Sequence, residues 1–408
     1  MLNRIKDIIY PYWKKYVLYT QPLFHSLSIL RLRMKSKKKI VFFATFVSTW
    51  KHDTLYELLE ESNEYEPIIL VIPVINLGHD HMLSTMDACY SFLLAKGYRV
   101  IKAYDSASEK YYNPKCLNPD VIVYLSPYNE QVDSRYRITR HRNILSIYMP
   151  YGFALSSNNN LLFNQPLHNL AYRVFYETSI HKQMASKYAV NGGANVEVSG
   201  SLISDEISAA QKIDGLNTQK LKKTIIWAPH HTIDEDGFSS FLQISQLMLD
   251  LAIKYKDVVN WVFKPHPILK SNLYNHSLWG KQRTDEYYQM WGSSEFSTME
   301  NGEYAELFVE SDALILDSIS FVAEYLFVNK PMLFTSLHPN LLDKFNDFGK
   351  LAMKCVSRMH SDDDVELFIN NILKGKDELK HIRETFFDNV LKTEISPSQY
   401  VFNFLKRL

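Results

Sequence analysis

Only three of the 408 residues are cysteine, and Cys89, Cys116 and Cys355 stand far apart. Such spacing gives neither a disulfide framework nor a clustered zinc site, and makes a reducing interior the default compartment. Glycine-rich phosphate loops are also missing. No GxGxxG follows the first apolar run, which disfavours a nicotinamide cofactor, and no GxxxxGK[ST] is present, which excludes a P-loop enzyme. The chain contains no GxSxG nucleophile elbow. No apolar run approaches the ~20 residues of a membrane span. The opening stretch does not read as a signal peptide, because charges and Pro11 interrupt it. Net charge is absent as well, with 45 Lys and Arg against 45 Asp and Glu, so the body has no basic character with which to hold nucleic acid.

What is present is apolar and aromatic. Hydrophobic residues make up 46%, with 26 Tyr and 23 Phe, which indicates a folded globular protein rather than a disordered one. The length suggests two domains of ~150–200 residues. Charge is unevenly placed. Arg4, Lys6, Lys14, Lys15, Arg31, Arg33, Lys35, Lys37, Lys38 and Lys39 face one acid, Asp7, before residue 40, which leaves 35 basic against 44 acidic residues in the remainder. Ile5, Ile8, Ile9, Tyr12, Trp13, Tyr16 and Val17 recur at helical spacing, with Pro11 predicted to restart or kink the helix. Leu23, Phe24, Leu27 and Leu30 repeat the pattern. Residues 1–36 therefore read as a basic amphipathic helical arm, suited to an anionic membrane surface or to packing on the body.

Beyond the arm, apolar runs alternate with helical stretches. KKIVFFATF, EPIILVIPV, YRVIKAYD, NPDVIVYLSPY and NILSIYMPYGF read as strands in the first half. YRVFYET, VEVSG, TIIWAPH, NWVFKPHP, ALILDS and PMLFTS follow. Continuously apolar strands separated by helices imply parallel sheets covered on both faces. Two similar α/β halves result, residues 37–200 and 201–390, with a seam near Ser199 to Glu206. Residues 391–408 read as a closing helix that packs back across that seam. Two facing halves would form a cleft onto which the strand C-terminal ends open, and ligands bind at such ends.

That rule selects the candidate site residues: His230, His231 and Thr232 after TIIWAP; Lys264 and His266 in FKPHP; Asp317, Ser318 and Ser320 after ALIL; Tyr151 and Gly152 after SIYMP; and Ser201 after VEVSG. Ser318 or Ser320 is placed to cap the helix carrying Glu324, and a helix start with outward N–H groups suits an anion such as a diphosphate. Glu324, one turn on, is placed to accept from a ribose hydroxyl. Two prolines stiffen the turn holding His266, and Lys264 is placed to neutralise phosphate. Adjacent histidines at a strand end face different directions, so one of His230 and His231 reaches the cleft while the other braces the loop. Asp234, Glu235 and Asp236 read as a solvated loop. Asp362, Asp363 and Asp364 complement a helix start. His79, Asp80 and His81 lack an identifiable third metal ligand.

Together, WAPHHT, FKPHP and SDALILDSISFVAEYLFVNKP resemble the nucleotide-binding half of the CDP-glycerol glycerophosphotransferases, the teichoic-acid primase and polymerase family. VEVSGSLISDE, YETSIHKQMASKYAV and the tail TEISPSQYVFNFL extend the resemblance over roughly residues 172–408. It implies a GT-B-like α/β fold of two facing Rossmann-like domains with an interdomain cleft and no bound metal or other cofactor. It further implies a cytoplasmic enzyme at the inner membrane face, with a nucleotide-activated donor and a lipid-linked or polymer acceptor. On the family pattern His266 would bind or activate the transferred phosphate, Ser318 and Ser320 would hold the CDP diphosphate, and Glu324 would face the ribose; Lys264 and Asp317 are expected on the donor side from their strand-end positions. The chain departs from that pattern twice. His230 and His231 stand where the family often has Trp-Arg, and Tyr151-Gly152-Phe153 stands where it carries His-Gly-Thr, so Tyr151 replaces a candidate base. A neutral tyrosine is a poor base at neutral pH. The expected activity is transfer of a polyol-phosphate with release of CMP, with His230 or His231 as base. A nucleotide-sugar glycosyltransferase and a non-catalytic scaffold binding a partner synthase are the alternatives.

Overall fold

The computed structural model describes residues 2–76, 78–214, 221–234, 237–300 and 302–408; the side chains of residues 2–15 and 213–214 lie outside the description. The chain divides into two compact units. One comprises the N-terminal residues to Gly152, Asn159–Asp205 and Thr393–Leu408; the other comprises Phe153–Asn158 and Glu206–Lys392.

In the first unit, β1 (Lys38–Ala44), β2 (Tyr65–Val71), β3 (Val100–Lys102), β4 (Val121–Tyr124), β5 (Leu145–Tyr148), β6 (Arg173–Tyr176) and β7 (Val196–Val198) form a parallel sheet of order β3-β2-β1-β4-β5-β6-β7. Its central strands are apolar on both faces because both are covered, and Ile40, Val41, Phe42, Val121, Ile122 and Val123 are fully buried. The predicted strand over residues 98–105 is broken after Lys102. Asp105 accepts bonds from the Ala107 amide and the Ser108 hydroxyl, and this turn folds Tyr104–Asp105 against Lys110–Tyr111 as a hairpin.

Helix α1 (Leu2–Arg33) runs unbroken through Pro11, where a restart was expected. A proline removes one backbone bond, and a long helix docked elsewhere along its length carries through it. The docking is visible from Val17 onward. Val17, Gln21, Ser28 and Leu32 are buried. Arg142 donates to the Gln21 side chain at 2.9 Å and to the Val17 carbonyl at 3.0 Å, and Ser28 donates to the Asn143 carbonyl at 3.0 Å. Tyr16, Tyr19, Leu23, Leu27, Leu30 and Met34 face solvent on the opposite side. The predicted apolar row Ile5, Ile8, Ile9, Tyr12 and Trp13 falls outside the described side chains. Among the described residues, no helix is long and apolar enough to cross a membrane.

The closing helix (Pro397–Lys406) packs within the first unit through Val401, Phe404 and Leu405. Its entry is fixed by the Ser396 cap and by the Ser398 amide, which donates to Asp205 at 2.8 Å. Gly200 sits against this entry with φ +88°.

In the second unit, β8 (Lys223–Ala228), β9 (Val259–Phe263), β10 (Ser297–Met299), β11 (Ala313–Leu316), β12 (Met332–Phe334) and β13 (Ser357–Arg358) form a second parallel sheet of order β10-β9-β8-β11-β12-β13. Trp227, Phe241, Phe263 and Trp291 stack on one another to form its core. Residues 153–158, placed in the first domain by the sequence reading, belong here. Phe153 stacks on Phe348 at 5.3 Å, and Asn346 donates to the Ala154 carbonyl at 2.6 Å.

Candidate active site

Strand order reverses between β8 and β11, so the loops leaving these two strands flank the switch point where doubly wound sheets bind ligands. The backbone extends this register beyond the strands. Lys264 donates to the Trp227 carbonyl at 2.8 Å, and the His266 amide donates to the Pro229 carbonyl at 3.0 Å. Neighbouring strand ends thereby bring three imidazoles together. Ring centroids are 4.2 Å apart for His230 and His231, 4.0 Å for His231 and His266, and 5.4 Å for His230 and His266.

Burial depresses all three. His231 is lowered to about 4 and His266 to about 3, and His230 falls well below the usual range, with its two neighbours adding to the effect. The cluster is therefore neutral at physiological pH. Among the described residues, no group of three His, Cys, Asp or Glu is placed to hold a metal ion. Glu235 and Asp236 of the acidic run lie outside the described residues.

Asp317, at the end of β11, is 1% exposed. It accepts the amides of His230 and Ser240, the latter at 2.6 Å, and the Ser240 hydroxyl at 2.9 Å. The carboxylate therefore ties the β8 loop to the start of α2 (Phe241–Lys254). Burial pushes it up to about 6, against the pull of these bonds. Ser240 continues the chain to Thr335 at 2.8 Å.

A second group forms around Tyr304. Its hydroxyl donates to Glu324, and its ring lies 5.4 Å from the Lys264 ammonium, which also donates to the Gly302 carbonyl at 2.9 Å. Lys264 and Glu324 are thus gathered around one tyrosine but buried, at 5% and 2% exposure. Ser318, buried, occupies the N-cap of α3 (Ile319–Glu324) without a side-chain capping bond. Ser320 follows in the first turn, half-buried. A cavity of ≈ 700 Å³ with a mixed polar and apolar lining, bounded by Ile233, Ser239, Ser240, Leu242, Ser336 and Leu337, opens at the same end of the sheet.

Tyr151 and Gly152 belong to the first unit, after β5. Tyr151 hydrogen-bonds Tyr128, which burial and this neighbour push above the usual phenol range. Sequence reasoning missed Ser240 and Tyr304. Ser240 carried a helix-start signal, whereas nothing near Tyr304 marks it as a partner of Glu324.

Residues 199–339 match the family described as CDP-Glycerol:Poly(glycerophosphate) glycerophosphotransferase. The match covers about a third of the chain. The matched segment contains the three histidines, Lys264, Asp317, Ser318, Ser320 and Glu324. Among solved structures, the chain is similar to a variant of the wall teichoic acid polymerase TagF, at 14% identity over 100% of this chain and 98% of that one, with a TM-score of 0.59. It is also similar to MnaA of S. aureus in a structure with UDP, at 15% identity over 90% and 96% of the two chains and a TM-score of 0.57. UDP-GlcNAc 2-epimerase from Neisseria meningitidis bound to UDP-GlcNAc gives 13% identity over 91% and 100%, with a TM-score of 0.55. These likenesses show a GT-B fold. No curated protein matches the sequence.

Proposed function

We propose that the protein is a transferase of cell-surface polymer synthesis. It moves a polyol-phosphate from a CDP-activated donor, such as CDP-glycerol, to an acceptor hydroxyl and releases CMP. The observation that carries this reading is the family match over the segment holding the histidine cluster and Ser318. Structures of the H444N variant of the wall teichoic acid polymerase TagF soaked with CDPG support the donor class.

The acceptor oxygen attacks the donor phosphorus, and catalysis is positioning plus charge stabilisation. Ser318, Ser320 and His266 bind the phosphates. Lys264 and Glu324 act from behind them: the buried ammonium adds positive potential, and the carboxylate fixes Tyr304. Asp317 holds the β8 loop in place, and one of His230 and His231 takes the proton. Tyr151 and Gly152 serve the acceptor side. A donor that binds here raises the melting temperature by mass action. CDP-glycerol is expected to stabilise the protein in a concentration-dependent way while UDP-sugars do not. Stabilisation by a UDP-sugar alone would favour the glycosyltransferase reading.

The acceptor is a lipid-linked or polymer hydroxyl, and the exposed face of α1 rests on the anionic cytoplasmic face of the membrane. Charge supports that occupant. Arg31, Arg33 and Lys37, exposed beside the apolar row, suit anionic lipid at about 1 kcal/mol each, and would repel a second copy of the same face. Sedimentation with anionic vesicles is expected to carry the protein down, and Leu23→Glu with Leu27→Glu to abolish it. Concentration-dependent dimers lost in the same variant would identify a second copy instead.

A further inference from the structure

The cavity at the C-terminal end of the second sheet carries polar groups that phosphate binding leaves unused. It is walled by the loop after β8, the start of α2 and the loop after β12, with His276 on one side. Ser336 lines it and is 4% exposed. Among the described residues, the Ser336 hydroxyl has no hydrogen-bond partner, so a donor and an acceptor stand unmet in the cavity wall.

Two imidazoles add directed donors. The Asn340 amide donates to His338 Nδ1 at 3.2 Å, and the Leu278 amide donates to His276 Nδ1 at 3.3 Å. An amide can only donate, so each neutral ring carries its proton on Nε2. Gln243 brings a side-chain amide that both donates and accepts, while Leu242 and Leu337 supply apolar surface between the polar groups.

This lining selects its ligand. A polyol chain alternates C–H surface with hydroxyls that each donate and accept, which matches it group for group. A nucleobase does not match: among the described residues, no Phe, Tyr or Trp lines the cavity as a stacking platform. A phosphate is opposed by charge. Asp234 lines the cavity, and the Asp317 carboxylate lies behind its wall, 2.9 Å from the Ser240 hydroxyl. That same hydroxyl lies 2.8 Å from the Thr335 hydroxyl. Asp317 also accepts the His230 amide and precedes Ser318 in the chain, so the cavity adjoins the loops assigned to the phosphates. Its ≈ 700 Å³ gives room for a polyol of more than three carbons.

We infer that this cavity is the pocket for the polyol chain of the nucleotide-activated donor, with Ser336, His338, His276 and Gln243 holding its hydroxyls. The assignment rests on the proposed transfer and adds what sets the choice of polyol.

Hydrogen exchange read by mass spectrometry on the full chain locates the ligand. CDP-glycerol and CDP-ribitol are expected to slow exchange over residues 336–342 and 241–244, whereas CDP, which lacks the polyol, leaves these segments unchanged. In calorimetric titration, Ser336→Ala is expected to weaken CDP-glycerol binding about tenfold and CDP binding less than about twofold. Leu337→Trp, at an exposed position, narrows the cavity and is expected to weaken CDP-ribitol more than CDP-glycerol. Equal protection by CDP, or equal losses for CDP and CDP-glycerol, overturns the assignment. So does an effect confined to the KM of the polymer acceptor, which would place the acceptor's polyol here instead. Protection of these segments by a UDP-sugar but by no CDP-polyol would count against the proposed donor and leave the cavity as a site for polyhydroxyl groups; protection by neither overturns the pocket.

Discussion

At the residue scale, the site depends on what holds its side chains. Asp317 joins two loops through two amides and a hydroxyl, all from buried residues. Asp317→Ala leaves them unsatisfied and is expected to cost about 2–4 kcal/mol in urea unfolding. Asp317→Asn keeps one acceptor oxygen and is expected to cost less. Equal losses would mean that the carboxylate does not brace the loops. The strand-end rule made His230, His231, His266 and Asp317 legible, because continuous apolar runs locate strand ends well. It did not separate the histidines. The Nδ1 atoms of His230 and His266 receive the Thr232 and Ile268 amides, which is a property of turns. Lys264 and Glu324 were legible as strand-end and helix residues. Their burial was not, because Tyr304 reaches them from a distant segment.

At the element scale, both parallel sheets were readable, since strands buried on two faces need unbroken apolar sequence. The third strand of the first sheet was overextended, because the Asp105 turn competes with strand continuation. The apolar repeat of α1 concealed two faces, and only packing shows that Val17 is covered while Leu23 and Leu27 are not. The closing helix offers a sharp test. A Cβ on Gly200 would lie 2.6 Å from Thr393 Cγ2 and 2.9 Å from Pro397 Cγ, at a φ that disfavours other residues. Gly200→Ala is expected to lower stability by about 1–3 kcal/mol and to open residues 393–408 to limited proteolysis. An unchanged cleavage pattern would mean that the contact relaxes cheaply.

At the scale of the whole molecule, the interleaving of the two units was not legible. Residues 153–158 join the second unit through contacts with Phe348 and Asn346, almost two hundred positions away. Acid sensitivity is likewise collective. Burial lowers His25, His141 and His231 to about 4 and His52, His168 and His266 to about 3. Unfolding returns each to about 6.5, so the unfolded chain binds protons first as pH falls. The stability these groups contribute is complete above about pH 6.5 and is lost as pH falls towards 4 and 3, on the order of 1 kcal/mol per histidine by pH 5. Urea midpoints are expected to fall steadily from pH 7 to 5, and a flat profile would contradict the burial assigned to these rings.

The central claim is chemical, and product analysis tests it most directly. Protein incubated with CDP-glycerol and a polyol-phosphate acceptor on vesicles is expected to release CMP in step with acceptor extension. Release of a nucleoside diphosphate from a nucleotide sugar instead, with no CMP from any CDP-polyol, would contradict the account.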